Sequence, residues 1–353
     1  MSITSDRPAD DLPVIQQVHK SKEWVSSLIE ETIEPELPII DAHHHFSDHW
    51  GGYLGEDLLG DMRTGHRVQA TVYIQCGYGY RSIGPDAFKP VGEVETVVAI
   101  TQSLLAQHKQ DAGIAAGIVG YADLALGGRV SAVLAEMVQA GQGRLRGIRY
   151  SAARHPDFRH GVLSRALPDI LLDTQFRLGF ACLERHGLSF DSWTYHQQLD
   201  QVVDLARAFP GTQIIVNHIG GLLGVGPYKD KPSLARQEWL KSIRLLAGCE
   251  NVVMKLGGLG TAVFGYDFSG RTTPPSSREL ADVWAPDFTT CIDLFGADRC
   301  MFESNFPVDR SVGSYHVLWN AFKRIAADAS SDEKAALFHD TAERVYRLNP
   351  VSR

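Results

Sequence analysis

Cysteine is scarce and shows no paired spacing. Cys76, Cys182, Cys249, Cys291 and Cys300 are five among 353 residues, an odd number with no C-x-x-C, so they read as reduced thiols in a reducing compartment. Cys76 alone, at the end of an expected strand, falls near a candidate site. No apolar run approaches the ~20 residues that span a bilayer. The opening MSITSDRPADDLP is acidic and polar where a secretory signal is basic and then apolar, which leaves a cytoplasmic location as the expectation. No basic run stands out either, and the formal charge of −8 excludes a nucleic-acid or anionic-membrane surface as partner. A phosphate-binding loop is also lacking, because Gly220-Gly221-Leu222-Leu223-Gly224 has neither the spacing nor the lysine of a P-loop. These absences leave a globular chain whose partner is a small molecule.

What the sequence does have is Pro38-Ile39-Ile40-Asp41-Ala42-His43-His44-His45-Phe46. A short apolar run ending in imidazoles reads as a buried strand that delivers polar side chains to a cavity. Side chains alternate along a strand, so His43 and His45 point one way and His44 the other. Two imidazoles on one side suit one metal ion or one substrate; the alternative is that they satisfy hydrogen bonds of the core.

The rest of the chain alternates strand and helix patterns. Residues 1–12 read as disordered, and 13–33 as an amphipathic helix with Val14, Val18, Val25, Leu28 and Ile29 on one side. That helix either plugs one end of the fold or faces a second copy in a homo-oligomer. Further strands are expected at 68–76, 113–121, 145–150, 188–195, 213–217, 251–256 and 300–305, each followed by helical pattern, and a last helix at 332–348 opens with a Ser330-x-x-Glu333 capping box. Near-continuous apolar strands, each followed by a helix, indicate a parallel sheet covered by helices. Eight such units close most simply into one α/β domain, a (β/α)8 TIM-type barrel over 37–349, with an N-terminal extension at 1–36 and an extra C-terminal helix.

In such a barrel the loops after the strand C-termini build the active site. The polar residues at those ends are Asp41, His43 and His45 on strand one, Arg149 on strand four and His196 after strand five. Strand six adds Asn217 and His218, strand seven Lys255, and strand eight Glu303 and Asn305, with Asp309 just beyond. His43, His45 and His196 can supply the three protein ligands of a divalent metal, zinc first, that activates a water. His218 then polarises a carbonyl or shuttles a proton, and Glu303 or Asp309 accepts the proton of the water. Arg149 and Arg154 suggest an anionic substrate, since a guanidinium grips a carboxylate with two donors; the alternative is structural pairing with Glu184 or Asp157. Lys255 either lines the site or forms a buried pair with Glu303. The segments 228–233 and 264–277 lie over the mouth as lids, with Tyr266 and Phe268 closing on the substrate. His155, His160 and His186 read as surface residues.

These residues carry a family resemblance. IIDAHHHF, GIRYSAA, IIVNHIGG, NVVMKLGGL and MFESNFPVD resemble the strand segments of the amidohydrolase superfamily. The branch they resemble includes 2-pyrone-4,6-dicarboxylate lactonase, sugar lactonases and aminocarboxymuconate-semialdehyde decarboxylase. The resemblance implies hydrolysis of a C–O or C–N bond of a small carboxylic acid, or as the alternative a metal-dependent decarboxylation of an aromatic or muconate-like acid. It also implies an Asp at the end of strand eight, where this chain has Asn305. An amide takes no proton at neutral pH. Glu303, two residues earlier on the same side of the strand, is the expected replacement, with Asp309 as the other.

Overall fold

The computed structural model describes residues 12–49, 52–108, 113–160, 166–268 and 270–348. The disorder expected over 1–12 lies, apart from Leu12, outside them. Eight parallel strands follow one another around a single sheet: β1 (Pro38–His44), β2 (Arg67–Ile74), β3 (Gly117–Gly120), β4 (Leu145–Ser151), β5 (Ser189–Trp193), β6 (Ile214–Val216), β7 (Val252–Leu256) and β8 (Cys300–Phe302). A parallel bridge from His44 to Phe306 joins the two edges and closes the ring. The strands are buried on both faces, as their unbroken apolar runs require: every residue of β5, β6, β7 and β8 is buried.

Helices cover the outside, and their starts are written in the sequence. Asp173 caps Thr174–Arg185, Ser276 and Glu279 form a reciprocal box at Ser277–Phe295, and Ser330 with Glu333 opens the closing helical run as expected. That run is not one regular helix. It passes through a π-helical turn at Ala336–Asp340 between Ser331–Ala335 and Thr341–Val345. Its Ala342, Val345, Tyr346 and Leu348 pack against Ile40, Val72, Ile215, Val253 and Met301 inside the barrel, so it seals the lower end and leaves the strand C-termini as the polar end. Among the described residues no helix is long and apolar enough to cross a membrane.

The helix expected over 13–33 is absent. Val14–Ile15 form instead a parallel pair with Arg159–His160, and only Lys22–Ser26 is helical. Ser21 accepts from the Trp24 amide and Ser27 Oγ donates to the Trp24 carbonyl, so local hydroxyls start and end this helix within five residues. Before it, the chain is extended and spends its polar groups on barrel loops.

Candidate active site

Strand one does not alternate cleanly. Its pairing with β2 shifts register between Asp41 and His44, and a bulge of that kind turns a side chain to the other face. Ile40 and Ala42 sit in the inner core, while Asp41 accepts from Ser304 Oγ (2.6 Å), Ser304 N (2.9 Å) and Tyr315 OH (3.1 Å). Asp41 thus fastens β1 to the turn after β8 and to the helix Tyr315–Ile325. After the bulge His43 and His45 meet, with their Nε2 atoms 3.2 Å apart, and His44 turns away to Thr71 Oγ1.

Glu303 stands at the centre. Oε1 is 2.5 Å from His218 Nδ1 and accepts the His218 amide at 3.1 Å; Oε2 is 2.6 Å from His43 Nδ1. Both imidazoles are therefore within direct reach of the carboxylate expected to replace the missing Asp. Burial raises the Glu303 pKa, but the charges of His218 and Lys255 and the hydrogen bonds from His218 outweigh it and hold the carboxyl below its usual value. Burial, with Lys255 and then other cationic neighbours, pushes His43 well down; burial with Arg149 does the same to His45. Both rings are neutral at pH 7. His45 Nδ1 faces the Ile74 carbonyl at 2.7 Å and so carries its proton there.

His218 is held by strain. His218 (φ 53°) and Ile219 (φ 49°) both lie in the left-handed region, followed by Gly220 and Gly221 at 75° and 65°. For a β-branched residue that conformation costs on the order of 1–3 kcal/mol and persists only where neighbours enforce it. They do so here, through Trp239 Nε1 donating to the Ile219 carbonyl (2.7 Å) and the Trp193 ring edge-on to His218 (4.8 Å). The two glycines that fail as a phosphate loop thus serve a turn that aims an imidazole. Gly258 belongs to the same device, because a Cβ there would lie 2.0 Å from His218 Nδ1.

Beneath this group is a buried ionic layer. Lys255 Nζ donates to Asp191 Oδ2 (3.0 Å) and lies 3.4 Å from His43 Nδ1 and 3.7 Å from Glu303 Oε2. Asp191 also accepts from Asn217 Nδ2 (3.1 Å) and Tyr346 OH (2.9 Å). Lysine thus pairs first with Asp191 and only loosely with Glu303. Arg149 is 3% exposed, donates to the Gln75 carbonyl, brings NH1 to 3.3 Å from His43 Nε2 and has no partner at Nε.

Other expected residues fall elsewhere. His196 lies beyond the end of β5, in the turn His196–Gln198, so it does not project into the barrel. Its Nδ1 accepts from Leu223 N (3.2 Å), its Nε2 is 3.5 Å from Glu238, and its ring meets Tyr228; it is not grouped with His43 and His45. Arg154 donates to the Ala166 carbonyl and its backbone amide to Gln198. Asn305 (φ 52°) donates to Asp309 Oδ1 (2.7 Å), and Asp309 Oδ2 accepts from Gly260 N. Asparagine tolerates the left-handed region, which gives the departure from Asp a backbone reason. Tyr266 points its hydroxyl at Asp287 (3.4 Å) and, with Phe268, lines a cavity of about 360 Å³ under the N-terminal segment. His155 is not a surface residue: it is 3% exposed and stacks on Phe158. The sequence reading missed Asp191, Trp193 and Tyr346. A charge inside the buried strand SFDSW was the available signal for the first; Tyr346, from the closing helix, had none.

The residues fit a divalent cation. His43, His218 and Glu303 offer donor atoms all within 4.8 Å of one another. Two imidazoles and a carboxylate are a common catalytic zinc set. Arg149 and Lys255 flank it with positive charge, which Asp191 offsets in part. A second group, His339, Asp340 and Glu343, sits on the closing helical run away from the barrel mouth.

Comparison with known proteins agrees with this fold. The sequence profile of the amidohydrolase family matches residues 40–348. The protein y4mH of Sinorhizobium fredii is 36% identical over 296 residues, 84% of this chain and 86% of that one. The L-fucono-1,5-lactonase of Burkholderia multivorans is 28% identical over 324 residues, covering 88% and 96%. Among solved structures, an amidohydrolase from Burkholderia multivorans with bound zinc superposes with a TM-score of 0.64 at 23% identity, over 88% of this chain and 99% of that one. The chain belongs to the amidohydrolase family of hydrolytic enzymes.

Proposed function

We propose that this enzyme hydrolyses a lactone of a small carboxylic acid by an activated water, with His218 as the proton-handling group and Glu303 as its orienting carboxylate. The observation that carries the reading is the 2.5 Å contact between Glu303 Oε1 and His218 Nδ1. With its proton fixed on Nδ1 by the carboxylate, His218 presents an unprotonated Nε2 toward the mouth. An imidazole so oriented takes a proton from water as it attacks a carbonyl and returns it to the leaving oxygen. Lactone hydrolysis suits this economy of parts, because the ring oxygen leaves as an alcohol and stays attached to the product. The 28% identity to an L-fucono-1,5-lactonase across 96% of that protein supports the substrate class.

Arg149 is the group that grips a substrate carboxylate or polarises the carbonyl, since its guanidinium is buried beside His43 with a free Nε. A divalent cation, zinc first, is the second reading of these groups: His43, His218 and Glu303 would hold it, with His45 as the neighbouring donor and His218 then a ligand in place of its proton-handling role, and it would supply a Lewis acid that acidifies water. Lys255 and Asp191 keep the floor of the site neutral and dry. The test is a panel of sugar lactones, pyrone lactones and aromatic acids in which proton release and CO₂ are followed together. Proton release without CO₂ from at least one lactone is expected. CO₂ evolution alone would replace hydrolysis by decarboxylation.

A further inference from the structure

The N-terminal segment lies before the residues that match the family profile, yet it is bonded to loops at the polar end of the barrel. Val14–Ile15 pair with Arg159–His160 in the loop after β4, and Arg159 N donates to the Pro13 carbonyl (2.8 Å). A few residues later Gln17 reaches the loops after β7 and β8. Its Nε2 donates to the carbonyls of Gly260 (3.0 Å) and Val308 (3.3 Å), and its Oε1 accepts from Ala262 N (2.8 Å). Arg159 follows Phe158, which packs on Tyr195 and lies beside Gly226, in the loops after β5 and β6, so the segment runs along the rim of the polar end from those loops to the loops after β7 and β8. Exposure alternates along it in the manner of a strand, with Ile15 and Gln17 turned inward and Val14, Gln16 and Val18 outward.

The two loops that Gln17 joins are those that hold the catalytic pair in place. Gly260 follows Gly258, whose Cα faces the His218 ring, and it also donates its amide to Asp309 and accepts from Ser311 Oγ (2.7 Å). Val308 and Asp309 lie in the turn that follows Glu303. One side-chain amide thus ties the support of His218 to the support of Glu303, two groups that are almost fully buried.

We propose that Gln17 is a positioning residue of the active site. This rests on the reading of His218 and Glu303 as the proton-handling pair. The tests are Gln17→Met, which keeps the volume and removes all three hydrogen bonds, and Gln17→Glu, which keeps only an acceptor for Ala262 N. Diethylpyrocarbonate labelling of His218, followed by peptide mass spectrometry, reports without any substrate how tightly the Gly258 loop is held against the His218 ring, and His49, with its side chain 88% exposed, serves as the internal reference.

Losing the hydrogen bonds is expected to raise the labelling rate of His218 relative to His49 by about tenfold in both variants. With the thermal midpoint close to wild type, kcat on a lactone is expected to fall about tenfold while KM changes less, because the reacting groups are displaced after binding. Unchanged labelling and unchanged kcat would overturn the proposal. Faster labelling in a protein whose wild type turns over no lactone would uphold the tie that Gln17 makes between the two loops and remove the hydrolytic reading.

Discussion

Gly258→Ala tests the link between backbone shape and chemistry. The added Cβ would lie 2.0 Å from His218 Nδ1 and 2.4 Å from its Cγ, at a φ of +74° that L side chains rarely adopt. The left-handed conformation itself costs alanine roughly 1–2 kcal/mol. To reach ordinary contact near 3.4 Å the ring must retreat by about 1.4 Å, which is more than the 2.5 Å contact to Glu303 can absorb and remain a hydrogen bond. A misplacement of about 1 Å in a reacting group costs about 10²-fold in rate. The expected result is therefore a folded protein with its thermal midpoint lowered by only a few degrees and kcat/KM reduced about 10²-fold or more. Steady-state kinetics on the best lactone and a calorimetric scan read both. A variant within threefold of wild-type kcat/KM would refute the claim that His218 acts from the position seen here.

Three further outcomes follow from the same geometry. Burial pushes the Asp309 carboxyl up to about 8, so the folded protein keeps a proton that the unfolded chain releases near pH 4. Stability from this group is full below pH 4 and is lost as pH rises through 8. Asp309→Asn should flatten the decline in urea midpoint between pH 6.5 and 8, above the range in which Asp41, raised to about 6, contributes; an unaltered slope would show that Asp309 is ionised in the fold. Arg149→Lys removes the planar fork and is expected to raise KM about tenfold for carboxylated lactones and much less for uncharged ones, so equal changes would speak against a substrate carboxylate at this residue. After zinc loading and dialysis, His43→Ala should lose most of its metal and His196→Ala should keep it, as read by elemental analysis. Loss in His196→Ala would return that residue to the ligand set.

The barrel was legible because parallel strands buried on both faces read as plain apolar runs, and the polar residues that end them converge whatever the loops do. That pattern singled out His43, His218, Glu303, Lys255 and Arg149, whose side chains the structure brings together. Strict alternation misplaced Asp41, because a single register shift in β1 inverts one side chain. His196 was taken as a strand-end residue, but β5 stops at Trp193 and the turn beyond it faces Tyr228 and Glu238. The N-terminal segment misled for another reason. Its apolar spacing suits a helix, but Ser21 and Ser27 confine the helix to five residues, and Gln17 finds partners more than two hundred residues away that no local pattern announces.

Glu303→Gln tests the central claim most directly, because glutamine keeps the shape but can no longer carry the charge that fixes the His218 proton. With zinc supplied and proton release followed in a pH-stat on the best lactone, kcat is expected to fall about 10³-fold or more while the protein stays folded. A folded variant that keeps more than about a third of the wild-type rate, within the scatter of a group that does no proton work, would contradict the assignment of Glu303 and His218 as the pair that drives hydrolysis.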